Sequence, residues 1–185
     1  MKVGDALVRY YETHGLPPDG GEQNAWFNVR IGSLTIPLPN PPARRRAVFL
    51  HDVNHLVTGY NTVFSDGEVV IAGFEVGAGC GHVWIAWFIN LYMMAFGLVL
   101  QPRGVFRAFV RGRRSGSIYR HREPRADIRE KTVAEMQKLL MLDATAPRAS
   151  VADRFQFVLW SAIAVALAVG LPLAVVTAIW AIFAA

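Results

Sequence analysis

The fold class is decided by the last 31 residues, positions 155–185, which read FQFVLWSAIAVALAVGLPLAVVTAIWAIFAA. This stretch contains no charged side chain. A transmembrane helix needs about 20 consecutive apolar residues, so the stretch is long enough to cross a bilayer. Gly170 and Pro172 lie in its middle and are expected to kink the helix. The sequence therefore predicts a C-terminal transmembrane tail anchor.

The composition and charge of the whole chain agree with attachment to a membrane. The 185 residues are 53% hydrophobic and 18% charged, which excludes a disordered chain. A formal net charge of +5 favours an anionic partner, and the apolar segments favour lipid over nucleic acid. Arg148 and Arg154 precede the apolar tail. Because positive flanks remain in the cytoplasm, we expect the domain on the cytoplasmic side of the cell inner membrane.

A second uncharged segment, residues 76–102, has two interpretations. It is either a second membrane span or a helix that packs in the domain and lines an apolar groove. We favour the packed helix, because a second span would place the His51 region and the later arginines on opposite sides of the membrane. Its large apolar side chains form either plain core or a path for a prenyl tail. They are Trp84, Trp87, Phe88, Met93 and Met94.

The rest of the sequence predicts a mainly α domain over residues 1–145, joined by a linker over 146–154 to the anchor over 155–185. An amphipathic helix is expected from Val3, and alternating residues at 26–31 and 34–36 predict a small β-hairpin. A helix over about 43–58 should end at Gly59. Further amphipathic helices are predicted at 103–114 and 126–142. Regular structure is expected to be interrupted at Pro37, Pro39, Pro41 and Pro42.

The stretch His51-Asp-Val-Asn-His55 carries side chains suited to metal binding. Each helical residue turns by about 100°, so His55 lies about 40° and Asp52 about 100° from His51. The three side chains share one quadrant and can converge on one ion. Imidazole and carboxylate are suitable ligands for zinc or iron. The alternative is a pair of hydrogen-bonded core histidines.

Two glutamates in the next apolar stretch bear on the same site. Glu68 and Glu75 are seven residues apart and therefore share one helix face. A buried carboxylate needs a compensating partner, which a metal on the preceding helix would supply. Glu68 also closes the pattern Ser65-Asp-Gly-Glu68, which is typical of a capping box. It is therefore either a helix cap or a ligand, and either glutamate can complete the site.

The segment from His51 to Tyr60, followed by Gly67-Glu68, resembles the Coq-four family of ubiquinone (coenzyme Q) biosynthesis proteins. The sequence motif of that family is H-D-x-x-H, followed after eleven further residues by Glu. The resemblance covers the chain from Tyr10 to Arg120. Further similarities lie in Pro39-Asn40, in Arg44–Arg46 and in Arg111–Tyr119.

This resemblance implies a helical, membrane-attached domain that holds a divalent metal, usually zinc. It implies work on the polyprenylated ring precursor of ubiquinone, by oxidative decarboxylation at ring carbon 1, beside a role in organising other enzymes of the pathway. The implied metal ligands are His51, Asp52, His55 and Glu68, of which Asp52 and Glu68 are the candidate catalytic groups. Here twelve residues separate His55 from Glu68, one more than in the family pattern. The apolar tail is a second departure from that pattern.

Residues 103–125 hold eight arginines against one acid, Glu123. They form either a basic face attracted to anionic lipid or a clamp for a phosphate or carboxylate head group. The candidates for such a clamp are Arg111, Arg113 and Arg114.

Three functions are therefore compatible with the sequence. The leading hypothesis is a metal-dependent enzyme of ubiquinone biosynthesis, with zinc or iron as the metal and a prenylated precursor as the substrate. The second is a non-enzymatic scaffold that presents lipid to other biosynthetic enzymes. The third is a membrane metallopeptidase, since H-D-x-x-H is similar to the zinc-peptidase pattern H-E-x-x-H.

Overall fold

The computed structural model describes residues 1–15, 17–21, 23–31, 34–121, 123–142 and 148–184. The molecule is mainly helical, as the sequence predicts, with one two-stranded hairpin near the N-terminus. Its elements follow in the order α1 (Val3–Thr13), β1 (Trp26–Ile31), β2 (Leu34–Pro39), α2 (Pro42–Thr58), a π turn (Phe64–Glu68), α3 (Val69–Ala78), α4 (Trp84–Leu100), α5 (Pro102–Arg113), a 3-10 turn (Ile118–Arg120), α6 (Arg125–Glu130), α7 (Val133–Leu139) and α8 (Val151–Ala184).

The hairpin pairs β1 with β2 in antiparallel register, with Trp26 opposite Pro39 and Asn28 opposite Pro37. The expectation that prolines interrupt regular structure after residue 36 is therefore wrong for β2. A two-stranded sheet leaves one edge of each strand unpaired, and a proline is tolerated where its missing N–H would face that edge.

The helix predicted over about 43–58 is present as α2, and Gly59 ends it in the left-handed conformation with φ of 78°. Val53 and Val57 on one face of α2 are buried in a core shared with α1, α6 and α7. The single helix predicted at 126–142 is instead two helices. Thr132 forms a capping box with Glu135, which starts α7 anew and separates it from α6.

Helices α3, α4 and α5 form the second part of the core. Gly77 and Gly112 allow the backbones of α3 and α5 to touch. A Cβ at Gly77 would lie 2.2 Å from the carbonyl oxygen of Phe109, and one at Gly112 would lie 2.1 Å from that of Phe74. The uncharged segment 76–102 thus contributes the end of α3 and the whole of α4, and α4 packs against α3, α5 and α8. This placement agrees with the packed-helix interpretation.

The C-terminal helix α8 is the one helix within the described residues that is long and apolar enough to cross a membrane. It begins at Val151, inside the segment predicted as a linker, and remains helical through Pro172. Part of that predicted linker, residues 146–147, lies outside the described residues. A single long apolar helix at this position is compatible with a membrane anchor.

Candidate metal centre

The site begins with two histidines one turn apart on α2. His51 and His55 project from the same face, and their Nε2 atoms lie 3.1 Å apart. The opposite face carries Val53 and Val57, which are buried. The apolar residues therefore hold the helix in the core and fix the direction of both imidazoles.

Glu68 reaches these imidazoles from the π turn. Its Oε2 lies 3.4 Å from Nε2 of His51, and its Oε1 lies 3.3 Å from Nε2 of His55. The amide of Glu68 donates to the carbonyl of Val63, five residues back. Such π turns recur at functional sites. This wider turn can accommodate one extra residue. The chain has twelve residues between His55 and Glu68, one more than the Coq-four pattern.

The π turn is stabilised by Asn61. Its side-chain oxygen accepts from the amides of Val63 and Gly67, and its side-chain nitrogen donates to Asp66. Gly67 leaves no room for a side chain, because a Cβ there would lie 1.8 Å from the carbonyl oxygen of Asn61. The capping box expected at Ser65 is wrong, since Ser65 lies inside the turn and Val63 precedes it. Glu68 consequently faces the histidines.

Three donor atoms thus form a small triangle, and His51, His55 and Glu68 can hold a metal ion. In a tetrahedral zinc site with bonds of about 2.0–2.2 Å, ligand atoms are separated by about 3.3–3.6 Å. Nε2 of His51 lies 3.4 Å from Oε2 of Glu68 and Nε2 of His55 lies 3.3 Å from Oε1, so each imidazole is at such a separation from one of the two carboxylate oxygens, and the histidine–histidine separation of 3.1 Å is slightly shorter. Two histidines and one carboxylate also form the ligand set of many non-haem iron enzymes.

The hydrogen bonds of the two rings leave the required lone pairs available. Nδ1 of His55 lies 2.9 Å from the carbonyl oxygen of Tyr60, which can only accept, so this nitrogen carries a proton. Nδ1 of His51 lies 3.1 Å from Oε1 of Glu75, which is placed to accept in the same way. In both neutral rings Nε2 then bears the lone pair, as a metal ligand requires.

Glu75 supports the site from behind. Its carboxylate is fully buried and accepts hydrogen bonds from Asn54, Asn90 and Tyr119 in addition to His51. A carboxylate that holds the far nitrogen of a histidine ligand orients the ring and makes it a stronger donor. Of the two glutamates left open by the sequence, Glu68 therefore lies at the ligand position and Glu75 positions His51.

The electrostatics of the cluster favour a positive charge at its centre. Burial tends to raise the pKa of Glu68, but His51 and His55 outweigh it and hold that pKa well below its usual range. Burial tends to lower the pKa of His51, yet Glu75 and Glu68 outweigh it and raise that pKa. Two carboxylates and two imidazoles in contact thus bind a cation or an extra proton.

Asp52 is not part of this triangle. It is buried, and its Oδ2 accepts a hydrogen bond of 2.8 Å from the hydroxyl of Tyr11. Burial raises the pKa of Asp52 to about 6, against the lowering effect of His51. The described structure therefore does not show Asp52 as a ligand. It places beside the site a carboxyl group that can gain or lose a proton near neutral pH.

Four of the five residues predicted to bind lipid or its head group make contacts within the protein. Arg113 and Arg114 both pair with Asp153 at the start of α8, at 2.9 Å each. Arg111 donates to the carbonyl of Thr58 at the end of α2. Trp87 stacks on Trp160, and the remaining predicted residue, Trp84, is exposed. These contacts hold all three arginines against other parts of the protein.

Comparison of the chain with family models, curated proteins and solved structures found no match in any of the three. The resemblance to the Coq-four family consequently rests on the motif residues of the sequence.

Four partners of the site were missed by the sequence analysis, namely Tyr11, Asn54, Asn90 and Tyr119. Two of them could have been recognised as candidate site residues from the sequence. Asn54 lies within the H-D-V-N-H stretch, and Asn90 is a polar residue in the uncharged segment 76–102, where burial demands a partner. Tyr119 lies 44 positions from Glu75, and such a distance along the chain carries no local pattern.

Proposed function

We propose that this chain is a membrane-anchored metalloprotein of ubiquinone biosynthesis that acts on a polyprenylated ring precursor. The proposed reaction replaces the carboxyl group at ring carbon 1 with a hydroxyl group. The observation that carries the proposal is the convergence of His51, His55 and Glu68, three of the four residues that the resemblance designates as ligands. The proposal places α8 across the cell inner membrane and the domain on the cytoplasmic side.

Each residue of the centre has a separate role in this proposal. Nε2 of His51, Nε2 of His55 and the Glu68 carboxylate hold a divalent metal, zinc or iron. Glu75 fixes the orientation of His51. Asp52, whose pKa is about 6, is placed to accept one of the protons that the net reaction releases.

A bound divalent metal supplies a Lewis acid that polarises a carboxylate. The net change consumes the ring acid and one water and yields the ring hydroxyl compound, carbon dioxide, two protons and two electrons. An electron acceptor, such as molecular oxygen, is therefore required. Zinc does not change its oxidation state, so iron at this site would add a redox function that zinc lacks.

The arrangement of Asp52 argues against the peptidase hypothesis. In H-E-x-x-H peptidases the acidic residue between the histidines acts as the general base on the metal-bound water. The carboxylate of Asp52 instead accepts a hydrogen bond from the hydroxyl of Tyr11.

Metal analysis tests the centre itself. The full chain, purified in detergent, should contain about one equivalent of zinc or iron, as in other protein metal sites of this ligand type. His55→Ala and Glu68→Ala should each lose it. His14→Ala is the matched control, because His14 is exposed and lies outside the centre. Wild-type protein that binds neither metal after incubation with it would contradict the proposal.

Complementation then separates catalysis from scaffolding. A strain unable to make ubiquinone through loss of the ring decarboxylation should be rescued by the wild-type chain and by His14→Ala. The double variant His51→Ala/His55→Ala should fail to rescue while remaining in the membrane fraction. Full rescue by the double variant would instead favour the scaffold.

A further inference from the structure

The course of α8 along the domain is fixed by contacts in a regular order. Asp153 pairs with Arg113 and Arg114 at the end of α5. One turn later Phe157 touches the ring of Phe109. After another turn Trp160 stacks on Trp87, near the start of α4, at a ring distance of 4.9 Å.

The contact continues along α4 in the same direction. Ala164 is fully buried, and Leu167 packs against the same apolar cluster, which contains Leu91, Met94 and Leu98 of α4. Helix α8 therefore runs parallel to α4 and leaves the domain at the C-terminal end of α4. From residue 169 onward, every residue of α8 whose side-chain burial is described is exposed.

The ligand Glu68 lies at this same end of the domain. Helix α3 runs antiparallel to α4, because Glu75 bonds Asn90 whereas a Cβ on Gly97 would touch Val69. The start of α3 thus lies beside the last turns of α4. The π turn that precedes Val69 is therefore close to the point where α8 leaves the domain.

A largely exposed apolar rim surrounds this point. We define it by residues at the start of the π turn and on the last turns of α4. It consists of the exposed Val63, Phe96, Val99 and Leu100 and the half-buried Phe64. Phe64 and Phe96 are in contact, with ring centres 6.0 Å apart, and Val99 is 82% exposed. A contiguous exposed apolar surface of this kind is typical of a contact with another molecule or with lipid.

Two features indicate lipid as the occupant. Beyond the domain, α8 is exposed and apolar on all its faces, with large side chains such as Leu171, Val176 and Trp180, so lipid must cover it from there onward. Arg103 and Arg107 are exposed on α5, the first of them within one turn of the rim. Arginines just outside the hydrocarbon can contact lipid phosphates.

We infer that the apolar rim rests in the surface of the bilayer that α8 enters, so that the opening of the metal centre faces the membrane. This inference rests on the membrane anchoring in the proposed function and assigns the surface that meets the lipid. His51 and Glu68 are the partly exposed ligands, with side chains 26% and 27% exposed. A lipid substrate then reaches the metal from the bilayer, with its prenyl tail still in the hydrocarbon.

Depth-dependent quenching tests this orientation in the full chain. An environment-sensitive fluorophore is attached to Val99→Cys or Val63→Cys on the rim, to His82→Cys at the far end of α4, or to Ala178→Cys in the apolar part of α8. The single native thiol, Cys80, is fully buried, and labelling of the wild-type chain measures its background. The proteins are placed in vesicles of phosphatidylcholine and phosphatidylglycerol, with and without nitroxide-labelled lipids. Far-UV circular dichroism confirms that each variant has folded.

We expect the nitroxide lipids to reduce the fluorescence at Val99, Val63 and Ala178, and to leave that at His82 unchanged. If the fluorescence is quenched at Ala178 but is unchanged at Val99 and Val63, as at His82, the proposed orientation is wrong. Helix α8 would still be a membrane anchor. Quenching at all four positions would also overturn the inference, because the whole of α4 would then be immersed. An unquenched probe at Ala178 would contradict the anchoring itself, and metal analysis would still report separately on the centre.

Discussion

Behind the candidate metal centre the buried carboxylate of Glu75 is held by specific hydrogen bonds, whereas the second half of α8 is exposed. Glu75 alone receives hydrogen bonds from three side chains besides His51. Residues 169–183 of α8 need only be helical, uncharged and apolar to be soluble in lipid. The centre therefore depends on individual atoms, and the tail depends on composition and length. Substitutions in the two regions should differ in effect by several kcal/mol.

Metal loading is expected to have the largest effect on stability. A ligand present at about 1,000 times its Kd stabilises the folded state by about 4 kcal/mol. For a chain of this size that corresponds to a rise in Tm of about 8–16 °C. Thermal unfolding in detergent, followed by circular dichroism with and without chelator, measures the difference. Glu68→Gln should unfold at the same temperature in both conditions. An equal chelator effect on both proteins would place the metal elsewhere.

Glu75→Gln should come next, with a loss of about 3 kcal/mol in the free energy of unfolding. The substitution keeps the shape but turns an amide N–H₂ toward donors such as Asn54 and Tyr119. Unfolding should be measured in the presence of chelator, so that loss of metal does not contribute. Glu130→Gln is the control, because that carboxylate is exposed and pairs with the exposed Lys2. Equal stability of both variants would show that the buried network is not needed.

Asp153 gives a pH-dependent difference at the start of the docked half of α8. Burial tends to raise the pKa of Asp153, but Arg114 and Arg113 outweigh it and hold the pKa below the usual 3.8. A depressed folded-state pKa stabilises the protein above the unfolded-state value, and this stabilisation is lost as the pH falls below it. Asp153→Asn should therefore cost about 1–2 kcal/mol at neutral pH.

Unfolding of the wild type and of Asp153→Asn should be compared across the acidic range. The two free energies should begin to converge as the pH falls through about 3.8, where the carboxylate becomes protonated in the unfolded chain, and should continue to converge toward the lower pKa of the folded state. A constant gap between the two curves would show that the ion pairs of Asp153 with the arginines do not produce the difference.

The smallest effect is expected in the apolar tail. Exchanging Leu173 and Ile179 keeps the composition, and both residues are exposed. The free energy of unfolding should change by less than about 0.5 kcal/mol. The protein should also stay in the membrane fraction after washing with alkaline carbonate. Release into the wash would show that the tail is recognised by its sequence.

Local patterns predicted the elements that depend on nearby residues. The apolar period and Gly59 were sufficient for α2, and the spacing of His51 and His55 was sufficient for their common face. The predicted helix at 126–142 and the interruption expected at Pro37 were both wrong. Thr132 starts a new helix in the middle of 126–142, and β2 continues through Pro37 because a two-stranded sheet leaves a free edge.

The partners of the site required contacts between distant parts of the chain. From sequence, Asp52 and Glu68 were equivalent candidates beside the histidines, and Glu75 was an alternative to Glu68. The structure places Glu68 at 3.3–3.4 Å from the imidazoles, Asp52 against Tyr11 and Glu75 behind His51. These differences depend on how α1, α3 and α4 pack against α2, and no residue spacing encodes that packing.

The sequence by itself determined that the chain is helical, that one segment is apolar enough to cross a membrane, and that two imidazoles share a helix face. These properties follow from composition and from periodicity over a few turns. Only the tertiary structure decided which carboxylate meets the imidazoles, and that α8 leaves the domain beside Glu68. The reason is that both depend on the relative positions of α2, α3, α4 and α8, which are set by buried contacts between residues far apart in the chain.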